Sequence, residues 1–417
     1  MNSTRFPWAG RNYRVQTAAT VISGLGNAGA PIATAFAVLD LGGSTTDVGY
    51  VTAARIAPMV LFLLLGGALA DRLPRHHVMV AANLFSALSQ ALLAAAVLTG
   101  TARLWHLLLL SAAGGIGHAF YAPASEGMIM ESVAKEHASR AFAVFRMALN
   151  GAQIGGAALG GALVAAVGPG WVLAIDAVGF AAAAALRLLL EPNTLTDRAG
   201  EAGGLLADLQ DGWREFAGRR WLWVVVLQFS VVMAALGAVE SVYGPVVAKE
   251  RLGGADAWGL ALAAFGLGLL AAGPLMVRWQ PQRLLLVGNY GVFLFALPAA
   301  ALAAAAPLPV LCAAMFVSGA GITVFGVNWM VALQQEVPAE LFSRVSAYDH
   351  FGSLALMPIG TAAAGPLALV LGMRGALWTC TALIALLALL VLAEPQVRRL
   401  RRAAPDVVPE RETVTSG

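Results

Sequence analysis

The stretch LLGGALADRLPRHHVMV, residues 64–80, interrupts a long apolar run with a short charged turn and then becomes apolar again. The turn begins at Asp71 and Arg72 and continues through Pro74 and Arg75. In a soluble protein this pattern would indicate an ordinary helix–turn–helix unit. Whether water or lipid surrounds the two apolar segments follows from the rest of the chain.

Composition places most of the chain in lipid. Of its 417 residues, 59% are hydrophobic and 12% are charged, whereas soluble domains carry about 25% charged residues. A soluble chain of this composition would leave large apolar patches in water. Apolar runs of about 20 residues, enough to cross a bilayer as a helix, recur along the whole sequence.

We therefore predict an all-α integral membrane protein with about twelve transmembrane helices in two pseudo-symmetric six-helix bundles. The predicted spans are 15–39, 48–70, 77–99, 104–130, 140–167, 170–190, 221–247, 256–278, 284–302, 307–331, 345–370 and 374–394.

The basic residues predict the orientation. With both termini inside, 19 of the 26 Lys and Arg residues lie on the cytoplasmic side, as the positive-inside rule requires. We expect a multi-pass protein of the cell membrane with cytoplasmic N- and C-termini. No basic face interleaved with aromatics indicates nucleic-acid binding. Cys312 and Cys380 lie in apolar spans without neighbouring ligands, so no metal, disulfide or cofactor is predicted.

The longest polar stretch divides the chain at its middle. We assign it to a cytoplasmic linker, 191–220, in which 205–216 has the spacing of a short interfacial helix. The predicted domains on either side are an N-terminal bundle, 1–190, and a C-terminal bundle, 221–395. A cytoplasmic tail, 396–417, follows.

An internal repeat supports this division. VAKEHASRAFAV (133–144) matches VPAELFSRVSAY (337–348) at an offset of 204 residues (337 − 133). Five pairs of glycines align at the same offset: Gly115/Gly319, Gly117/Gly321, Gly156/Gly360, Gly161/Gly365 and Gly168/Gly372. Glycines alone carry little weight in a chain with 46 of them. The shared Glu-Ser-Arg pattern indicates duplication of a six-helix unit, which is a transporter architecture.

The charged turn carries a family resemblance. GALADRLPRH (67–76) resembles the G-x-L-A-D-R-x-G-R-R signature between helices two and three of the major facilitator superfamily. With the topology and the repeat, the resemblance covers roughly 12–395 and is strongest to the branch of macrolide-efflux and enterobactin-exporter-like proteins. Pro74 and His76 depart from the signature, and Val277 replaces the aspartate of the corresponding loop in the second half.

The resemblance implies that this turn is a conformational switch. Members of the superfamily alternate between inward-open and outward-open shapes. Gly67 permits close helix approach, and Asp71, flanked by Arg72 and Arg75, is expected to dock on the N-terminus of the eleventh helix when the cytoplasmic side closes. The alternative is a hydrated turn that only fixes the orientation.

The two lysines limit which energy source could drive transport. Lys135 and Lys249 are each followed by Glu, so the chain has no Gly-Lys-Ser/Thr loop to bind nucleotide phosphates. Ion-driven or passive transport remains.

Three acids within the spans are candidates for proton coupling, because a charge inside the membrane is costly and is often functional. The resemblance places Glu240, in the seventh helix, near the central cavity, and a solvated position at the outer end is the alternative. Asp176, in the sixth helix, is expected chiefly in a structural hydrogen bond or ion pair, for which Arg55 is a candidate partner. Asp349 either couples protonation to the switch or belongs to the structure of the gate.

Polar and aromatic residues on the presumed cavity helices are candidates for substrate contact, with helix–helix hydrogen bonding as the alternative for each. They are Asn27, His118, Tyr121, Gln228, Tyr243, Ser318, Asn328 and Trp329. The remaining walls are apolar, which favours a bulky and mostly hydrophobic small molecule.

The sequence thus predicts a monomeric secondary active transporter that exports a hydrophobic small molecule in exchange for protons. GAALGG (156–161) resembles a stretch found in antiporters, with Ala157 in place of its proline. The alternatives are an importer or uniporter of the same fold and, from another class, a polytopic membrane enzyme. An enzyme would need clustered His, Asp or Glu at one membrane face, and the histidines are scattered, so no catalytic residue is predicted.

Overall fold

The computed structural model describes residues 8–190, 213–338 and 341–403, with the backbone alone at residues 63–72, 126, 130, 131, 135, 139 and 343. Helices form nearly all of this part of the chain. Its one β-type pairing is an isolated bridge between Arg283 and Arg401.

Six helices form the first half. They are α1 Arg11–Asp40, α2 Thr45–Arg72, α3 Arg75–Leu98, α4 Leu104–Glu131, α5 Ala138–Val167 and α6 Pro169–Arg187. Within this half α1 packs on α5 and α6, α2 packs on α4, and α3 packs on α4 and α6.

The second half begins with α7 Arg220–Leu252, α8 Ala255–Arg278, α9 Leu284–Ala303 and α10 Leu308–Glu336. Helical residues then run from Phe342–Leu354 into Met357–Val391, with a break at Gly372, whose φ is 72°. We name the part before Gly372 α11 and the part after it α12. Contacts join α8 and α9 to α10, and α7 to α11.

The all-α membrane architecture is confirmed. Ten helices in the described part of the chain are long and apolar enough to cross a membrane. One of them, Arg344–Val391, has 48 residues. A straight helix of that length would measure about 72 Å at 1.5 Å per residue, more than twice a hydrocarbon core of about 30 Å. Counting α2 as a further span and dividing this helix at Gly372 gives twelve, and the predicted count of twelve stays a prediction.

Each predicted span overlaps one of these helices, and the differences lie at the ends. The seventh helix was predicted to end at residue 247 and continues to Leu252. The tenth continues to Glu336. A helix can continue through polar residues past the apolar core of the membrane, because its last turn reaches water. Most of the predicted interfacial helix lies outside the described residues, but 213–218 are helical.

The aligned glycines occupy equivalent helix crossings in the two halves. A Cβ atom on Gly115 would collide with a backbone carbonyl of α2, and one on Gly319 would collide with a backbone carbonyl of α8. In the same way Gly117 lies against α3 and Gly321 against α9. The repeat seen in the sequence is therefore a repeat of the packing.

The last glycine pair marks the same turn in both halves. Gly168, between α5 and α6, has φ 90° and ψ 163°, and Gly372, between α11 and α12, has φ 72° and ψ 158°. These positive φ angles suit glycine, because a side chain would be strained there. The turn reverses the chain between the fifth and sixth helices of each half.

The halves meet near one end of the molecule. We call the ends that hold Asp40 and Lys249 the outer ends, because the basic residues predict that they face outward, and we call the opposite ends inner. Near the outer ends α5 crosses α8 with Gly161 against Gly259, and α2 crosses α11 with Gly365 against the backbone of α2.

An ion pair joins the halves at the outer ends as well. Lys249 Nζ, at the end of α7, lies 2.6 Å from Asp40 Oδ1, at the end of α1. Both side chains are partly exposed. The outer side of the boundary between the halves is therefore closed in this structure.

Candidate substrate and proton sites

A cavity of about 180 Å³ lies in the first half between α1, α4, α5 and α6. Three of the predicted substrate-contact residues line it: Asn27, His118 and Tyr121. Arg146 and Gln153 of α5 also line it. Sequence reasoning thus found one wall of this cavity and missed the wall that α5 supplies, because α5 was not among the presumed cavity helices.

Asn27 and Asp176 belong to separate polar contacts beside this cavity. Arg55 donates from Nη2 to Asn27 Oδ1 at 2.5 Å, and Gln90 donates from Nε2 to Asp176 Oδ2 at 2.8 Å. Asp176 is fully buried, and its Oδ1 atom has no hydrogen-bond partner. The contact with Gln90 is of the structural kind expected for Asp176, and the predicted partner Arg55 interacts with Asp176 through its charge while it hydrogen-bonds Asn27.

Arg187 is a functional candidate that sequence reasoning left unassigned. It is the last residue of α6 and its side chain is fully buried. Its guanidinium donates to Gln16 (3.0 Å) and Thr20 (2.9 Å) of α1 and to Tyr121 (2.8 Å) of α4. The available signal in the sequence was a charge at the end of an apolar run.

Glu240 lies in a π-helical turn of α7, Val239–Tyr243. This turn contacts α11 in its own half and α1 and α2 in the other half. Atom Oε1 of Glu240 is buried and has no hydrogen-bond partner. The contacts of this turn place the acid at the boundary between the halves. Single π-helical turns occur often at functional sites.

Ser241, a residue of this turn, also lines a cavity. It lines a small space between the halves together with Arg55, Thr34, Thr52 and Ser111. Glu240 as a whole is half-buried, and both interpretations, an acid near the central cavity and a solvated residue at the outer end, stay predictions.

Asp349 is part of a contact between α11 and α10. Its Oδ2 accepts a hydrogen bond from Trp329 Nε1 at 2.9 Å, and its Oδ1 lies 3.4 Å from Ser353 Oγ. Of the two interpretations for Asp349, this contact fits gate structure. It also gives Trp329 a helix–helix role.

The other predicted contacts of the second half make helix hydrogen bonds. Gln228 donates to Asn289 of α9 at 2.7 Å, Tyr243 donates to a backbone carbonyl of α11 at 2.7 Å, and Asn328 donates to its own helix at 2.8 Å. All three are buried, as is Ser318, whose hydroxyl has no partner. The contacts of Gln228 and Tyr243 match the helix–helix alternative given for them. The roles of Asn328 and Ser318 stay open.

The switch motif falls largely outside the described side chains. Gly67, Asp71 and Arg72 lie where the backbone alone is described, at the inner end of α2. The guanidinium of Arg75 lies against Gly127 of α4. α2 also contacts Phe342–Leu354, the first part of α11, which is the helix on which the resemblance places the aspartate. Docking of Asp71 stays a prediction.

Within the described residues no group of three or more His, Cys, Asp or Glu side chains is arranged to hold a metal ion. Cys312 and Cys380 are both free thiols.

Comparisons with known proteins agree with this architecture. The chain is 28% identical over 408 residues to the "Multidrug efflux pump Tap" of Mycolicibacterium fortuitum, covering 93% of this chain and 96% of that one. It is 24% identical over 376 residues to the "Uncharacterized MFS-type transporter YfiS" of Bacillus subtilis (strain 168), covering 88% of each.

Solved transporters share the fold at low identity. The nucleoside transporter NupG superposes with a TM-score of 0.73 at 12% identity, over 92% of this chain and 99% of that one. A bacterial homologue of the human lysosomal transporter Spinster, in an inward-facing conformation, superposes with a TM-score of 0.67 at 15% identity, over 97% and 100%. The sequence model of the Major Facilitator Superfamily matches residues 17–349. The chain belongs to the Major Facilitator Superfamily of membrane transporters.

Proposed function

We propose that the protein is a proton-coupled exporter of hydrophobic small molecules in the cell membrane, working by alternating access. The similarity to a multidrug efflux pump over 93% of the chain supports export as the direction. The largely apolar helices support a hydrophobic cargo. The bias of basic residues supports cytoplasmic termini. The proposed active unit is the monomer.

The position of Glu240 is the observation that supports proton coupling. Its turn touches both halves, and its Oε1 atom is buried without a partner. An unpaired carboxylate in a dry site is costly, whereas the same group in contact with water is not. Because rocking of the halves changes how much water reaches their boundary, it changes whether Glu240 holds or releases a proton.

Asp71 is the proposed sensor of closure on the inner side. The contact between α2 and the first part of α11 supports this placement. A negative charge at a helix N-terminus contributes about 0.3–1 kcal/mol when exposed and up to about 2 kcal/mol when partly buried. Formation of this contact in the closed state alone would shift the balance between the two states.

Transport in everted membrane vesicles tests the function. A panel of hydrophobic drugs is offered to vesicles with an acidic lumen, and accumulation is measured with and without a protonophore. We expect at least one drug to accumulate and the protonophore to abolish the accumulation. A uniporter would show counterflow with no effect of the gradient, an importer would accumulate no drug in everted vesicles, and an enzyme would alter the drug chemically.

A further inference from the structure

We infer that the cavity of the first half is a binding subsite for an anionic oxygen, such as that of a carboxylate, and that the cargo is an amphipathic organic anion. The assignment of this anion as cargo rests on the proposed function. The anion site itself lies within the first half, between α1, α4, α5 and α6.

Arg187 donates to two residues that line this cavity, Thr20 and Tyr121, and no Asp or Glu of the described residues is among its hydrogen-bond partners. Its side chain is fully buried, and its three hydrogen bonds go to the neutral residues Gln16, Thr20 and Tyr121. Atom Nη1 has no hydrogen-bond partner. Neutral partners satisfy hydrogen bonds but leave the charge in place, and an unpaired buried charge costs several kcal/mol. An anion that enters the cavity would recover part of this cost.

Counting the protons of the network shows which atom would meet the anion. Tyr121 Oη accepts from Arg187 and from Ser125 Oγ (3.2 Å), which fills both of its lone pairs. The hydrogen bond of 3.0 Å between Tyr121 and Thr20 must therefore be donated by Tyr121. Thr20 Oγ1 then accepts from Tyr121 and Arg187, and its own proton has no acceptor in the network.

Thr20, which carries this free hydroxyl proton, lines the cavity. Tyr121 and Ser125 line it as well, and no Asp or Glu is among the described residues that do. A volume of about 180 Å³ is below the roughly 300–1,000 Å³ of a site that encloses a drug-sized ligand. The cavity thus has the size for the anionic group of a cargo whose apolar body lies outside it.

The second half shows that the fold does not require this network. At the offset of 204 residues, Tyr121 corresponds to Phe325 and Arg187 to Val391. Phe325 stacks on Phe229 of α7 with 4.7 Å between ring centroids. The same helices therefore pack without a charge, which indicates that Arg187 is kept for binding.

A matched pair of probes tests the site. The fluorescent acid 11-(dansylamino)undecanoate and its methyl ester are titrated into protein held in discs of zwitterionic lipid, without any proton gradient. Charge-assisted hydrogen bonds are about twice as strong as neutral ones. We expect the acid to bind wild type at least about tenfold more tightly than the ester, a difference of about 1.4 kcal/mol.

Two variants locate the effect. Thr20→Val keeps the shape of the side chain but removes the donor, and it should reduce the preference for the acid to about twofold or less. Ser23→Ala is the control, because Ser23 lines the same cavity but donates to carbonyls of its own helix at 3.1 and 3.3 Å. It should keep the preference. Equal binding of acid and ester by wild type, or an unchanged preference in Thr20→Val, would overturn the site.

The source of the anion is separated by a competition arm. If phosphatidylglycerol added to the discs displaces the acid from wild type, the subsite holds a lipid headgroup, and the assignment to cargo is overturned. If it does not, the cargo assignment is supported. Because no proton gradient is used, failure of the proposed proton coupling would leave these results unchanged.

Discussion

In the first half, Tyr121 of α4 and Thr20 of α1 share a hydrogen bond of 3.0 Å. In the second half, Phe325 of the equivalent helix α10 stacks on Phe229 of α7, with 4.7 Å between the ring centroids. Equivalent helices contact each other in both halves, and the chemistry of the contact is different. Duplicated helices can therefore keep their packing while one copy acquires polar side chains and the other keeps apolar ones.

The same contrast extends through the sixth helix of each half. At the offset of 204 residues, Asp176 corresponds to Cys380 and Arg187 to Val391. All four are buried. The charges on α6 have no counterpart on α12, whereas the second half contributes Glu240 at the boundary. We conclude that the halves share a framework of glycine crossings and divide the proposed work between cargo and proton.

The largest expected effect tests the shared framework. Gly115→Val and Gly319→Val each place a side chain against a carbonyl of the neighbouring helix. Overpacking costs about 1–3 kcal/mol or more, so both variants should lose most of their folded, monodisperse protein in size-exclusion chromatography. Gly326→Val is the control, because a Cβ there meets nothing within 4 Å. Loss in one half alone would show that the crossings are not equivalent.

A smaller effect should distinguish the polar contacts of the two halves. Gln90→Leu removes a hydrogen bond to a buried carboxyl group, and Gln228→Leu removes one to the amide of Asn289. Hydrogen bonds to charged groups contribute about 1.5–3 kcal/mol, whereas those between membrane helices average about 0.6 kcal/mol.

Thermal unfolding in detergent measures this difference. Gln90→Leu should lower Tm several degrees more than Gln228→Leu, and the exposed Gln153→Leu should change it little. Equal losses for the two buried glutamines would mean that the carboxyl group of Asp176 adds nothing to the first contact.

The smallest effect concerns the ion pair at the outer ends. Lys249→Gln removes the contact of 2.6 Å with Asp40, and exposed ion pairs contribute about 0–1 kcal/mol. The population of the outward-open state should rise by at most about fivefold, and the difference between variant and wild type should decrease in high salt. Spin labels at residues 101 and 307 measure it. Arg251→Gln is the control, and the exchange Asp40→Lys with Lys249→Asp should restore the wild-type distances.

Much of the fold could be predicted from the sequence, because the physics of the bilayer fixes helix length and charge distribution. The break at Gly372 and the turn at Gly168 were visible as one aligned pair. The π-helical turns of α7 were not predicted, because a single inserted residue leaves the apolar pattern unchanged.

The candidate site was predicted less completely. Asn27, His118 and Tyr121, which line one cavity, could be predicted because polar residues on α1 and α4 stand out against an apolar background. Gln228 and Tyr243 have the same sequence signal and make helix–helix hydrogen bonds instead. Which face of a buried helix a polar residue occupies depends on tertiary packing, and periodicity does not give it in a helix that is apolar on all sides.

Proton release from everted vesicles tests the proposed coupling most directly. A drug that the wild type transports is added to vesicles with an acidified lumen, and the lumenal pH is followed with a fluorescent dye. Wild type and Glu250→Gln, an exposed acid in the second π-helical turn of α7, should release protons when the drug is added. Glu240→Gln should release none while drug counterflow persists. Release by Glu240→Gln at the wild-type rate would contradict the account.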